Sequence, residues 1–216
     1  MALSKSLAPK VRGRFIVLDG VDGAGKSTHH RRLEQDLSAA SVQVVSCRDP
    51  GGTTIGDRIR SLLLGQDLSK MDVNCETMLF MASRAQLIHE VIRPALAAGK
   101  TVLCDRFVSS TCAYQGAAGY DPRRTIELAR FALSDLWPHV TIVLDIPVEK
   151  GLDRIGRGRS GTDAMESRPM EFHRRVREIF RNLPEFYPAP VVIVDASSDA
   201  DTVYQRILEG LERATF

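Results

Sequence analysis

The sequence predicts a three-layer α/β fold, with helices on both faces of a mostly parallel, five-stranded sheet. Three features point there. Short runs rich in β-branched residues recur along the chain and are nearly continuous in apolar residues, as strands covered on both faces are. Segments of helical periodicity separate these runs, so each connection can cross over and return in parallel. A glycine-rich turn lies between the first run and the first helix.

Phe15-Ile16-Val17-Leu18 is the first strand, and a helix starts at about Lys26. Val42 to Cys47 is the second strand and Thr101-Val102-Leu103-Cys104 the third. Thr141-Ile142-Val143-Leu144 and Val191-Val192-Ile193-Val194 are the fourth and fifth. Pro122 and Pro147 suit first-turn helix positions, Gly99 follows a helical stretch, and Asp199 can cap the last helix. That helix carries Val203, Ile207, Leu208 and Leu211 on one face, a docking stripe for the sheet. Trp137-Pro138 reads as a helix stop ahead of the fourth strand. Residues 156–162 (GRGRSGT) lack apolar periodicity, so they form either a surface connection or a mobile lid.

Composition sets the class. The 216 residues suit one core, and 44% hydrophobic with 26% charged residues argues against disorder or a fibrous protein. A formal net charge of +2 excludes a broad basic coat for nucleic acid or for a membrane surface. No apolar run approaches the roughly 18 residues that span a bilayer. Within the basic total, 23 Arg stand against 6 Lys, a skew toward the planar, two-pronged phosphate donor that codon bias also explains. Cys47, Cys75, Cys104 and Cys112 form no CxxC pair, so reduced thiols in a cytoplasmic protein are expected. The polar, basic start MALSKSLAPKVRGR reads as a disordered leader over 1–13, followed by a single domain over 14–216.

Gly20-Val21-Asp22-Gly23-Ala24-Gly25-Lys26-Ser27 matches GxxxxGK[ST], between a strand and a helix as that motif requires. The fold class is therefore the P-loop NTPase fold. Backbone N–H groups of Gly20, Asp22, Gly23, Ala24 and Gly25 curl around a β-phosphate, and the helix N-terminus beginning at Lys26, Ser27 and Thr28 adds positive potential. Lys26 reaches the β- and γ-phosphates, and the Ser27 hydroxyl ligates Mg²⁺. Asp105 ends the third strand, where the Mg²⁺-side carboxylate of such folds sits, and Arg106 projects from the same carboxyl edge. The sequence contains no guanine-specifying NKxD and is short for a motor, which leaves a small kinase of a nucleotide or metabolite.

The chain resembles the thymidylate kinase family from about 14 to 213. The matching stretches are 15–28 (FIVLDGVDGAGKST), 48–53 (RDPGGT), 80–86 (FMASRAQ), 105–116 (DRFVSSTCAYQG), the arginine-rich segment, 172–177 (FHRRVR) and Asp195-Ala196-Ser197. The resemblance implies phosphoryl transfer from MgATP to dTMP, giving ADP and dTDP, by a homodimer that engages neither nucleic acid nor membrane. It implies that Phe80 stacks on thymine, that Arg84, one turn along the helix, donates to a thymine carbonyl, and that Arg48 and Arg106 grip the acceptor phosphate. Asp22 is implied to approach the 3′-hydroxyl and Tyr114 to pack on the sugar's 2′ carbon. Ser110, Thr111 and Gln115 line the base and sugar pocket. Gly23 stands where some relatives carry a basic residue, so positive charge on the transferring group is expected from Arg154, Arg157 and Arg159 in a lid over about 154–168. The sequence departs from the family pattern beyond that lid: Asp163-Ala164-Met165-Glu166 lacks the arginine of D-R-x-E. Two alternatives stand beside this reading, a kinase for another monophosphate or small metabolite and a catalytically silent ATP-binding protein.

Two further clusters read as structural. His29 and His30 are adjacent on a helix and point about 100° apart, too far to share a metal readily. Arg174, Arg175, Arg177 and Arg181 read as a solvated helix face paired with Glu171, Glu178 and Glu185.

Overall fold

Strand β1 (Phe15–Gly20) is apolar except at its end, and every residue in it is buried because sheet neighbours and helices enclose it on all sides. In this computed structural model, which describes residues 4, 6–65, 71–134, 136–156 and 168–215, it is the central strand. Strands β3 (Thr101–Asp105) and β4 (Val140–Asp145) flank it, with β2 (Val44–Arg48) and β5 (Val191–Asp195) at the edges, in the order β2-β3-β1-β4-β5. All four pairings are parallel, so the sheet is more uniform than the expected mostly parallel one. The order reverses beside β1: the chain runs out to β2, returns to β3, then crosses to β4. Such a reversal opens a crevice at the carboxyl ends of the central strands. Leu18 pairs with Asp105 and Gly20 with Leu144, which brings the ends of β1, β3 and β4 to one level.

Helices cover both faces. Gly25 takes a left-handed conformation (φ 93°) and α2 (Lys26–Ala39) starts directly after it. Helix α3 (Thr54–Leu64) is capped by the Thr53 side chain and α4 (Val73–Leu87) by Asp72. A wider turn, Ile88–Ile92, carries α4 into α5 (Arg93–Ala97). Helices α6 (Val108–Ala117) and α7 (Pro122–Leu133) follow β3, with Pro122 in the first turn of α7. Helices α8 (Val148–Gly156) and α9 (Met170–Asn182) lie between β4 and β5, and α10 (Ala200–Arg213) ends the fold with Asp199 capping Thr202. Val203, Ile207, Leu208 and Leu211 of α10 are buried, as their spacing predicts. His29 stacks on Tyr204 at 6.2 Å while His30 reaches the Leu103 carbonyl, so the two rings serve different neighbours.

The structure departs from the sequence reading in two places. Leu7–Val11 forms a helix, α1, inside the stretch read as a disordered leader; Leu7 and Val11 have no exposed surface. The helix packs on α10, and the Thr101 hydroxyl donates to the Val11 carbonyl at 2.8 Å. Two apolar residues one turn apart are enough to dock a short helix, and the polar residues around them hid that pair. The second departure is on α9. Arg174 pairs with Glu149 at 2.8 Å and Glu171 at 3.9 Å, but Arg177 turns to Asp145 at the end of β4, at 2.6 Å, and Arg181 approaches the same carboxylate at 3.9 Å. A carboxylate at a strand end, shielded from water on one side, attracts them more than the exposed glutamates of their own helix. Cys47, Cys75, Cys104 and Cys112 are free thiols. Among the described residues no helix is long and apolar enough to cross a membrane.

Leu7→Ala should lower the unfolding free energy by about 2–4 kcal/mol, the usual cost of a large-to-small change at a buried site. Urea denaturation reads this directly. A change below about 0.5 kcal/mol, the range of surface substitutions, would mean that α1 contributes nothing to the fold.

Candidate active site

The loop after β1 curves back over the sheet edge and closes on Lys26. The Lys26 ammonium donates to the Gly20 carbonyl at 3.0 Å and the Val21 carbonyl at 2.8 Å, and lies 3.8 Å from the Asp22 carboxylate. Burial, followed by repulsion from Arg106, lowers its pKa to about 8, against the pull of Asp22, Asp105 and Asp19. Lys26 is thus a buried cation held by loop carbonyls, ready to exchange them for a stronger anion. Ser27 and Thr28 are exposed in the first turn of α2.

Gly23 has a structural reason to lack a side chain. Its φ is +74°, and a Cβ there would lie 2.0 Å from the Gly151 carbonyl oxygen; a Cβ on Gly151 would lie 2.5 Å from the Asp22 carbonyl oxygen. The loop and the first turn of α8 meet backbone to backbone, which only a glycine on each side permits. A basic residue at Gly23 is therefore incompatible with the seat of the loop on α8. At the far end of α8, the Arg154 guanidinium donates to the Ala196 carbonyl at 3.5 Å, in the turn after β5. Arg157 and Arg159 lie outside the described residues, as does nearly all of the expected lid.

Four charged or phenolic groups join the loop to α6. Asp19, fully buried at the end of β1, accepts from the Gly20 N–H at 2.8 Å, Ser109 at 2.5 Å and Ser110 at 2.7 Å. Arg106, with φ +69° in the left-handed region, donates to the Gly20 carbonyl at 3.1 Å and to Ser110 at 3.0 Å, and forms a close ion pair with Asp22. A non-glycine residue held in that conformation costs about 1–3 kcal/mol and marks a site where the surroundings dictate the backbone. The Tyr114 hydroxyl donates to the other Asp22 oxygen at 2.6 Å. Burial pushes the Asp22 carboxyl upward, but Arg106, Lys26, the Tyr114 hydrogen bond and His173 together hold it below its ordinary value. Burial keeps the Tyr114 hydroxyl protonated, well above its usual pKa.

Beyond this network a cleft of about 90 Å³ opens between α3, α4 and α6. Its wall includes Phe80, Arg84, Ser110, Thr111, Tyr114 and Gln115, so the sequence-predicted base-pocket residues converge on one cavity. Arg84 is 1% exposed; its guanidinium contacts Asp49 at 2.5 and 2.6 Å and donates to the Thr111 hydroxyl at 3.0 Å. Burial raises the Asp49 carboxyl, and Arg84 opposes that rise. Removing one member of such a buried pair costs about 3–5 kcal/mol because the other charge is left alone. Ser110 has a different place from its neighbours: its hydroxyl is engaged with Asp19 and Arg106 and orients the guanidinium.

Arg48 is not part of the cleft wall. It stands at the rim, its side chain 58% exposed and 3.5 Å from Asp57. Arg60, which the sequence reading passed over, lines the cleft instead and donates to the Pro50 carbonyl at 2.9 Å. Asp19, Asp49 and Glu76 were also passed over. No local pattern announces them; each is a lone acid within a strand end, a turn or a helix. Asp105 sits at the end of β3 with one carboxylate oxygen buried and unpaired.

The architecture and the motif residues agree with the comparisons to known proteins. The profile of the family described as Thymidylate kinase matches residues 18–207. A thymidylate kinase of Afipia carboxidovorans is 40% identical over 215 residues, covering 98% of this chain and 94% of the relative. Those of Bradyrhizobium diazoefficiens (41% over 203 residues, 93% and 89% covered) and Protochlamydia amoebophila (40% over 211 residues, 94% and 94%) are similarly close. With its P-loop, its Asp105-Arg106 pair and its cleft all inside the matched region, the chain belongs to the thymidylate kinase family.

Proposed function

We propose that the protein transfers the γ-phosphoryl group of ATP to the 5′-phosphate of dTMP, giving ADP and dTDP. The observation that carries this reading is the junction of two sites at one sheet edge. A phosphate loop with a buried lysine and a cleft walled by one aromatic ring and one buried arginine share the Asp22–Arg106 pair. In the cleft, Phe80 stacks on the base, worth about 1–3 kcal/mol, and Arg84 donates to a base carbonyl. Thr111 and Gln115 complete the polar wall, and Tyr114 packs on the sugar where a ribose 2′-hydroxyl would sit. Asp22 faces the 3′-hydroxyl. Arg106 exchanges its contacts with the loop for the acceptor phosphate, and Arg48 swings in from the rim to join it.

The acceptor oxygen attacks the γ-phosphorus in line, and the protein contributes position and positive charge rather than a covalent intermediate. Lys26 leaves the Gly20 and Val21 carbonyls for the phosphates. Backbone N–H groups of Gly20, Asp22, Gly23, Ala24 and Gly25, with Ser27 and Thr28, cradle the triphosphate, Arg154 lies toward the nucleoside end, and Arg157 and Arg159 close over the transferring group. The residues present suit Mg²⁺. The buried, unpaired Asp105 oxygen and the exposed Ser27 hydroxyl are two oxygen donors. Among the described residues no three His, Cys, Asp or Glu form an all-protein cage. A cation that keeps most of its ligands from water and phosphate fits that donor set, and bound there with ATP it supplies charge neutralisation on the phosphates. We also infer a homodimer. Ile55 and Leu62 on α3 and Met78 on the adjoining α4 are each more than half exposed, and the first two share a helix face.

A coupled ADP-release assay over dTMP, dUMP, AMP, CMP and shikimate should show a clear preference for dTMP. Comparable rates with AMP or CMP would mean that the Phe80–Arg84 cleft does not read a thymine base. Lys26→Ala should leave the fold intact and cut turnover by at least about 10²–10³, the cost of removing one preorganised charge donor.

The depressed Lys26 pKa adds a pH prediction. In the free protein the folded state binds fewer protons than the unfolded state between about pH 8 and the ordinary lysine value of 10.5, so stability rises with pH across that window. A bound polyphosphate raises the Lys26 pKa again. ATP binding at pH 8.5, above the phosphate's own ionisation at about 6, should therefore draw in protons, and the uptake should fade below pH 7. Calorimetry in buffers of different ionisation enthalpy measures the uptake. If Lys26→Met takes up as many protons as the wild type, Lys26 is not the group responsible.

A further inference from the structure

We infer that Cys104 is a positioning residue for phosphoryl transfer: its thiol pins the backbone of Arg106, so that the guanidinium stays aimed when it leaves the phosphate loop for the acceptor phosphate. Cys104 lies in β3, two residues before Arg106, and has no exposed surface. Its Sγ donates to the Arg106 carbonyl at 3.1 Å. The Arg106 N–H donates to the Leu18 carbonyl of β1 at 2.9 Å. The inference rests on the reading of Arg106 as a grip on the acceptor phosphate.

Peptide units are planar, so a residue has only two soft torsions, and holding the units on both sides of it fixes both. The bond to Leu18 holds the unit before Arg106, and the bond from Cys104 holds the unit after it. Such pinning matters here because φ at Arg106 is +69°. A non-glycine residue released from that conformation returns to negative φ. The Cα–Cβ bond then turns to a new direction and carries the guanidinium with it.

The side chain cannot supply this hold throughout the reaction. In the free protein it contacts Asp19, the Gly20 carbonyl, Asp22 and Ser110. A guanidinium has a fixed set of N–H donors, so moving onto a phosphate means giving up some of these contacts. The two backbone bonds are untouched by that exchange. Cysteine suits the position on two counts. It packs as a small apolar residue inside a buried strand, and it still carries one donor.

Cys104→Val keeps an apolar, strand-compatible side chain and removes the donor, whereas Cys104→Ser keeps a donor. When the competent backbone is populated in only a fraction of molecules, affinity for the group Arg106 grips falls by that fraction. Calorimetry should therefore show dTMP binding to Cys104→Val about three- to tenfold more weakly than to wild type, the range of one hydrogen bond. Thymidine has no phosphate for Arg106 to grip, so its affinity should stay within about twofold of wild type, as should the KM for ATP. Cys104→Ser should restore most of the dTMP affinity. A merely structural role would weaken dTMP and thymidine together and would overturn the inference. Unchanged dTMP binding in Cys104→Val would do the same, as would a Cys104→Ser protein as weak as Cys104→Val. If Cys104→Val does not fold, Cys104→Ala carries the same expectations. Failure of the underlying reading is separate: Arg106→Gln would then bind dTMP as tightly as the wild type.

Discussion

A buried negative charge at the end of the central strand organises everything at the sheet edge. Asp19 has no exposed surface, and an isolated carboxylate there would be untenable. It draws the Gly20 N–H, both serines at the start of α6 and, at 3.5 Å, Arg106 around itself. These groups come from the phosphate loop, the end of β3 and the first turn of α6. The same carboxylate therefore sets the start of the loop, the left-handed backbone of Arg106 and the direction in which its guanidinium points. Arg106 in turn reaches Asp22, and Asp22 reaches Tyr114. The phosphate loop and the base cleft are joined through this chain of alternating charges and hydrogen bonds, which is why one residue at the middle can serve both.

The loop is held from its other side by backbone rather than by charge. Gly23 and Gly151 approach so closely that neither position has room for a Cβ. That contact fixes the loop against α8, the helix that leads into the arginine-rich segment and carries Arg154 toward the turn after β5. In a fold where the loop itself has no space for a basic residue, positive charge has to arrive on other elements. The abundance of arginine over lysine then has a partly local meaning. Arg84 occupies a buried ion pair and Arg106 a part-buried one, where a planar fork can meet more than one acceptor, and Arg177 grips both oxygens of the part-buried Asp145 at the edge of β4.

Local sequence was a sound guide wherever the physical cause was local. Continuous apolar runs form strands buried on both faces, a GxxxxGKS turn between strand and helix forms a phosphate loop, and Asp199 caps the helix it precedes. The residues expected around the base also converge, because Phe80 and Arg84 share a helix face and Thr111, Tyr114 and Gln115 share the next helix. What local sequence could not provide was pairing. Asp49 and Arg84 are separated by 35 residues, and Ser109 and Asp19 by 90. Arg48 is drawn to Asp57 at the rim, Arg177 passes over its helix neighbours for Asp145, and α1 docks on α10 at the opposite end of the chain.

The amino-acid sequence by itself determined the elements, their parallel arrangement, the phosphate loop and the family, since these follow from periodicity and from contiguous motifs. Only the tertiary structure decided which charges neutralise one another, which arginine lines the cleft and why Gly23 carries no side chain. Each of those depends on distances between segments remote in the chain. A buried charge or a backbone contact selects its partner by proximity in space, which spacing along the chain does not encode.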